Sequence, residues 1–188
     1  KQQLVELQAF DRSKLDPATA LSYDLLVQSM ENEIADNKWR LYNYPINQMF
    51  GRHSGVVSLL INQHRVNSVQ DAENYIARLE GVPKLFEQLI TNIEARTAAN
   101  IIPPKFVFPH VIRDSKNIIK GAPFDDGEPS ALLADFTKKL QTLSEKEGSQ
   151  LTDENKTKLL DAATLALNNA VKPAYQKLVA HLTELETK

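Results

Sequence analysis

The chain has 188 residues, of which 42% are hydrophobic and 24% charged, and this composition is typical of a globular protein with a substantial core. Its net charge of −2 provides no positive field for nucleic acid or for an anionic membrane surface. No apolar run approaches the roughly eighteen residues that a transmembrane helix needs, and the lack of cysteine excludes disulfides and thiolate metal sites.

The first strong helical pattern begins after Asp16. The Asp16 side chain can cap the free N–H groups of a helix, and Pro17 is tolerated in the first turn because it lacks an N–H. Proline disfavours helical geometry in the preceding residue, so Pro45 requires this helix to end by Tyr44. Its apolar side chains share roughly one face: Ala18, Leu21, Leu25 and Ile34.

Two further helices are predicted before residue 100. A short apolar helix is indicated by "GVVSLLINQHRV", and Ser68 with Asp71 three residues later resembles a capping signal for the next helix. Gly81 and Pro83 interrupt that second pattern, but apolar residues keep a helical spacing on both sides of them. This pattern favours a bent or restarted helix over a domain boundary.

The stretch "IIPPKFVFPHV" is the least helical part of the sequence. Its two adjacent prolines predict extended chain, and residues 106–108 are expected to form either a short strand or a buried connector. A short helix is predicted between about residues 110 and 120, followed by a surface loop, "KGAPFDDGEPS". Ser130 then caps a helix that Gly148 is expected to end, and Thr152 caps the last helix.

The last helix carries a continuous apolar stripe that runs through Pro173, so we predict a kink there without an end to the helix. Residues 153–186 would span about 50 Å, longer than the roughly 40 Å diameter of a compact chain of this size. We therefore expect the stripe to be partly exposed, in a segment cut from a longer protein. Its members lie three or four residues apart: Leu160, Ala163, Leu167, Val171, Tyr175, Leu178, Leu182 and Leu185.

These patterns together predict an all-α fold. The expected architecture is an irregular multi-helix array with a long, Pro-kinked C-terminal helix. Residues 1–188 are expected to form a single helical region without an internal boundary, and to be a segment of a larger helical protein.

The most unusual stretch is "NYPINQMFGRHSG", residues 43–55, which separates two helical patterns. One interpretation is a polar loop at a helix N-terminus, where backbone N–H groups with Arg52, His53 and Ser54 could hold a carboxylate or phosphate. The other is a packed corner, in which Asn47 and Gln48 satisfy loop backbone.

The packed corner is the favoured interpretation because the loop carries so many apolar side chains. Four of them are expected to fill the core there: Tyr44, Ile46, Met49 and Phe50. Met49 and Phe50 are predicted to anchor the turn. Arg52 and His53 are then the side chains with a chance of facing a cleft, and Asn47 and Gln48 complete the set of candidate substrate-binding residues.

No catalytic residue and no metal ligand is predicted within the chain. The four histidines are dispersed, without the spacing of a helical metal site, and no nucleophile motif is present. The acidic run "DDGE", residues 125–128, lacks the alternating ligands of a calcium loop and is interpreted as a solvated turn.

Four stretches in order resemble the N-terminal half of the bacterial domain-of-unknown-function 885 family. They are "YPINQMFG", "HRVNSVQDAENYIARL", "NIIPPKFVFPHVI" and "VKPAYQKLVAHL", and the similarity covers nearly the whole chain. Members of that family look like helical zinc-dependent peptidases, often secreted or lipid-anchored in Gram-negative bacteria. Their zinc signature, of the form His-Glu-x-x-Pro-Gly-His, lies downstream of the last of these stretches, and this sequence contains no His-Glu pair.

The resemblance implies that the chain is a non-catalytic helical region that flanks the active-site cleft of a zinc metallopeptidase-like protein of unknown substrate. Zinc is expected only in the full-length protein, where a metal-bound water would attack a peptide carbonyl. The implied partners are the remainder of its own chain and a peptide substrate, and the implied location is periplasmic or lipid-anchored outside the cytoplasm. The alternative is a self-standing helical binding module or an inactive pseudoenzyme segment.

Overall fold

The computed structural model describes residues 1–187 and confirms the all-α prediction, since no strand is formed among those residues. Contacts within the chain separate it into two compact units, Lys1–Asn43 and Tyr44–Lys188. The expectation of a single helical region without an internal boundary stays a prediction. No helix in the described part of the chain is both long and apolar enough to cross a membrane.

The unit Lys1–Asn43 contains two α-helices, α1 (Gln2–Gln8) and α2 (Pro17–Asp36), and two short 3₁₀ turns, Arg12–Lys14 and Asn37–Trp39. Asp16 caps α2 as predicted, because its side chain accepts hydrogen bonds from the backbone N–H groups of Ala18 and Thr19. The apolar face predicted for this helix is largely exposed. The exposed large apolar side chains of the unit are Val5, Phe10, Leu21, Leu25, Leu26, Trp39 and Tyr42.

The second unit holds seven α-helices and two π-helical turns between residue 44 and residue 187. The α-helices are α3 (Arg52–Ser58), α4 (Val69–Glu80), α5 (Val82–Ala98), α6 (Val107–Ile118), α7 (Ala131–Ser144), α8 (Asp153–Ala166) and α9 (Lys172–Glu186). The π-helical turns, Leu59–Gln63 and Leu167–Val171, directly follow α3 and α8. As predicted, the chain restarts a helix at Gly81, which lies between α4 and α5.

The three predicted N-caps of this unit are present. The side chains of Ser68, Ser130 and Thr152 each accept a hydrogen bond from the backbone N–H three residues later. The expected end of α7 at Gly148 is wrong, because the helix stops at Ser144. Gly148 has a φ of 74° and so turns the chain after the helix has already ended.

The strand considered for residues 106–108 is also wrong, because Val107 is the first residue of α6. Val107, Phe108 and Val111 are buried and Phe106 is exposed, which is the helical spacing of an inward face. The predicted extended chain is therefore limited to the residues before this helix.

The last helical segment is continuous from α8 through the π-helical turn into α9. Pro173 lies in the first turn of α9, where its missing N–H breaks the regular bonding pattern, and the π-helical turn immediately before it accommodates that break. The expectation of an exposed stripe is wrong. All its members are buried except the half-buried Leu160, because α4, α5 and α6 pack against this segment.

Aromatic side chains form much of the centre of the second unit. Phe86 on α5 meets Tyr175 on α9 edge to face, with ring centroids 4.7 Å apart. Tyr75 on α4 stacks on Phe136 on α7 at the same centroid distance. All four side chains are at most 1% exposed, so the first pair holds α5 against α9 and the second holds α4 against α7.

Candidate functional site

The corner before α3 is a closed turn held by its own backbone and by one side chain. The N–H of Asn47 donates to the carbonyl oxygen of Phe50 at 2.8 Å. The Asn47 side-chain oxygen accepts from the N–H groups of Met49 and Phe50, both at 2.8 Å. Ile46, 2% exposed, anchors the turn in the core and forms an isolated bridge with Gly51. The predicted backbone role is therefore confirmed for Asn47 but is wrong for Gln48, whose exposed side chain forms no such bond among the described residues.

Gly51 is required where the turn meets α3. Its φ of 157° is one that other residues rarely adopt, and its backbone lies close to two side chains. A Cβ atom placed there would be 2.6 Å from His53 Nδ1 and 3.0 Å from Ile46 Cγ1. The approach of the turn to the helix thus depends on the missing side chain.

His53 lies in the interior and is 2% exposed. The hydroxyl of Tyr175, itself fully buried, donates to the backbone oxygen of His53 and so ties the corner to α9. Burial lowers the pKa of His53, and the attraction of the nearby Asp114 carboxylate opposes that shift in part. The His53 Nδ1 atom is buried without a hydrogen-bond partner in the structure.

Met49 and Phe50 do not anchor the turn, and that prediction is wrong. Met49 is 70% and Phe50 68% exposed, and Tyr44 is also exposed. The Asn47 side chain closes the turn through the backbone N–H groups of both residues, so the turn holds without burying their side chains. Of the four apolar side chains expected in the core, Ile46 alone is buried.

The four candidate binding residues lie in three different environments. Gln48 and Arg52 are exposed, and His53 is buried. Asn47 is half-buried, and its side-chain oxygen already accepts hydrogen bonds from the turn backbone. The corner therefore presents one amide and one guanidinium beside two apolar side chains. Such a set can bind a polar or acidic group and an apolar surface, but none of the four is a nucleophile paired with a base.

The inner side of the corner is tightly packed. A cavity of about 10 Å³ lies beneath it, bounded by the corner itself, by α5, α9 and the start of α6, and by the extended chain before α6. That volume is about the space of a single water molecule. This cavity therefore has no room for a ligand larger than water.

A second polar cluster, which the sequence reading did not single out, joins α4, α7 and the first π-helical turn. Lys139 Nζ lies 2.7 Å from Asp135 Oδ2 and donates to the backbone oxygens of Leu60 and Ile61 at 2.6 and 3.0 Å. The Tyr75 hydroxyl donates to the same Asp135 oxygen at 3.2 Å, and burial followed by the Asp135 charge raises its pKa. The i,i+4 spacing of Asp135 and Lys139 within a predicted helix was the available signal.

His64 lies in the same region, with both ring nitrogens in contact with polar groups. Its Nε2 lies 2.9 Å from the backbone oxygen of Asp71, and its Nδ1 faces the Arg78 guanidinium. A carbonyl only accepts and a guanidinium only donates, so Nε2 is the donor to Asp71 and Nδ1 is the acceptor from Arg78. Both ring nitrogens are thus occupied in holding the chain ahead of α4.

The acidic run between α6 and α7 forms a turn, as interpreted from the sequence. The two Asp125 carboxylate oxygens accept from the N–H groups of Gly121 and Gly127 at 3.0 and 2.9 Å. These bonds lower the pKa of Asp125. Among residues 1–187, no group of three or more His, Cys, Asp or Glu side chains could hold a metal ion.

Comparisons with known proteins place the chain in a family. Residues 1–188 match the family described as "Bacterial protein of unknown function (DUF885)". The crystal structure of the "putative lipoprotein" from Colwellia psychrerythraea is similar over 78% of this chain, with a TM-score of 0.69 and 24% identity. The chain covers 23% of that protein, so it spans less than a quarter of its length. No curated protein matches it.

Proposed function

Because the chain belongs to this family of bacterial proteins, DUF885, we propose that it is the non-catalytic helical region of a larger zinc-dependent, peptidase-like protein and flanks its active-site cleft. The carrying observation is the corner, a turn fixed to a packed helical base that presents polar and apolar side chains outward. The fold similarity to a protein more than four times longer than the shared portion supports a role as one part of a larger assembly.

The corner would face the cleft with Arg52 and Gln48, which are exposed. Arg52 would bind an acidic group or a carbonyl of a peptide substrate, since a guanidinium donates in a fixed fork geometry. Asn47 and His53 would act by position: Asn47 holds the turn, and His53 holds the start of α3 through the bond from Tyr175.

Zinc would be bound by other parts of the longer protein. Zinc sites in proteins take three or four nitrogen, sulfur or carboxylate ligands, and the described residues do not fit such a site. The contribution proposed for this chain is therefore substrate binding and the wall of the cleft.

A location outside the cytoplasm, periplasmic or lipid-anchored, is part of the same proposal. Its support is the resemblance of the sequence to a family often found there, together with the lipoprotein description of the similar Colwellia psychrerythraea structure.

A self-standing helical binding module, or an inactive pseudoenzyme segment, is the second candidate. One observation favours it: the apolar stripe of the last helix is buried within residues 44–187, so this unit has a closed core of its own. In that case the corner would bind a partner without any associated hydrolysis.

Kinetics of the full-length protein distinguish the two candidates. Arg52→Ala should lower peptide turnover at least tenfold while leaving the Tm within about 1 °C, because Arg52 is exposed and exposed polar changes cost at most about 0.5 kcal/mol. Arg65→Ala, also at an exposed arginine, is the matched control and should leave turnover unchanged. Equal turnover in both variants would contradict a cleft-facing corner, and a full-length protein without hydrolysis would favour the binding module.

A further inference from the structure

The two most exposed apolar side chains of the second unit are adjacent at the end of the corner. Met49 is 70% and Phe50 68% exposed, and we refer to this pair as the apolar tip. We infer that the apolar tip is the contact through which this helical region docks onto the remainder of its own chain. This inference rests on the proposed function.

The apolar tip is held in place before any partner binds. Three hydrogen bonds of 2.8 Å connect Asn47 to the backbone of the two tip residues. Gly51 fits closely against His53 on one side, and Ile46 is buried on the other. A turn that is already ordered loses little conformational entropy on binding, which is the condition for an efficient contact.

The charges around the apolar tip indicate the chemistry of its partner. Gln48 before it and Gly51 after it are uncharged, and Arg52 is the first charged residue that follows. The surface that fits Met49 and Phe50 is therefore an apolar pocket with an uncharged rim, and Arg52 lies beyond that contact, where it stays available to the cleft.

The size of the apolar tip favours the same chain over a second copy. Two side chains bury a few hundred Å² at most, whereas stable complexes between separate molecules bury about 1,200–2,000 Å². A covalently linked partner needs far less area because the linkage supplies a high effective concentration. The similar structure has more than three quarters of its length outside the part that this chain covers, which supports a covalently linked partner of this kind.

Methionine oxidation tests the contact directly in the full-length protein. The native protein and the guanidinium-unfolded protein are treated with dilute hydrogen peroxide, and sulfoxide at Met49 is followed by mass spectrometry. Docking predicts that Met49 reacts at least tenfold more slowly in the native protein. A native rate within twofold of the unfolded rate would overturn the inference, since it would show the tip in solvent.

A pair of variants and a dilution series complete the test. Phe50→Ser should lower the Tm of the full-length protein by several degrees, whereas Phe106→Ser, at a phenylalanine that is also exposed, should not. Protection of Met49 that disappears on dilution would show docking onto a second copy and would also overturn the inference. Protection in a protein that has neither zinc nor hydrolysis would leave docking intact and reject the proposed function.

Discussion

Two glycines of the corner lie four residues apart and have opposite surroundings. A Cβ at Gly51 would lie 2.6 Å from the His53 ring, whereas a Cβ at Gly55 would meet nothing within 4 Å. Gly55 lies inside α3, where glycine is less favourable than alanine. The same chemical change therefore has opposite expected effects at the two positions, and the difference measures how tightly the turn fits the helix.

Gly51→Ala should destabilise the protein by about 1–3 kcal/mol, because the new methyl group overlaps a buried side chain and the φ is unfavourable for alanine. Gly55→Ala is the matched control and should stabilise it by about 0.5–1 kcal/mol. Urea unfolding of the two variants measures both values. Equal midpoints would show that the corner is not packed against His53.

At the scale of elements, local signals predicted more than long-range ones. Caps at Asp16, Ser68, Ser130 and Thr152 lie where the sequence placed them, because each depends on residues at most three positions away. The Met49 and Phe50 side chains were misplaced because hydrophobicity predicts burial only on average. The direction of a side chain in a tight turn depends on which group closes the turn, here Asn47.

The residues of the apolar stripe in the last helix were predicted correctly, but the stripe was expected to be partly exposed and is buried. Length alone suggested a missing partner, whereas the covering helices α4, α5 and α6 come from distant parts of the chain that periodicity cannot position. The polar cluster of Asp135 and Lys139 was missed for the same reason, since its other members lie on α4 and on the π-helical turn after α3.

Truncation of the stripe tests its burial. Leu178→Ala, at a side chain with no exposed surface, should cost about 2–5 kcal/mol, since it removes buried methyl groups and leaves a cavity. Leu165→Ala lies in the same long helical segment at an exposed position and should change stability by less than about 0.5 kcal/mol. Thermal and urea unfolding measure both. Similar costs at the two positions would mean that the stripe is not covered by α4, α5 and α6.

For the whole molecule, ordered sequence motifs carried information that no single residue pattern did. The four stretches pointed to a bacterial family, and the chain matches that family over residues 1–188. Composition and spacing could not name a function, because the four candidate residues include no nucleophile paired with a base and the described residues hold no metal-ligand set. The chemistry proposed for the protein is therefore assigned to other parts of the longer protein to which we propose that this chain belongs.

Metal analysis tests most directly whether zinc is bound outside this chain. Both the 188-residue chain and the full-length protein are dialysed against metal-free buffer, and zinc per chain is measured by plasma mass spectrometry. The account predicts one zinc per full-length chain and none in the 188-residue chain, because a tight structural or catalytic site needs at least three suitable ligands. Stoichiometric zinc in the 188-residue chain, or none in the full-length protein, would contradict it.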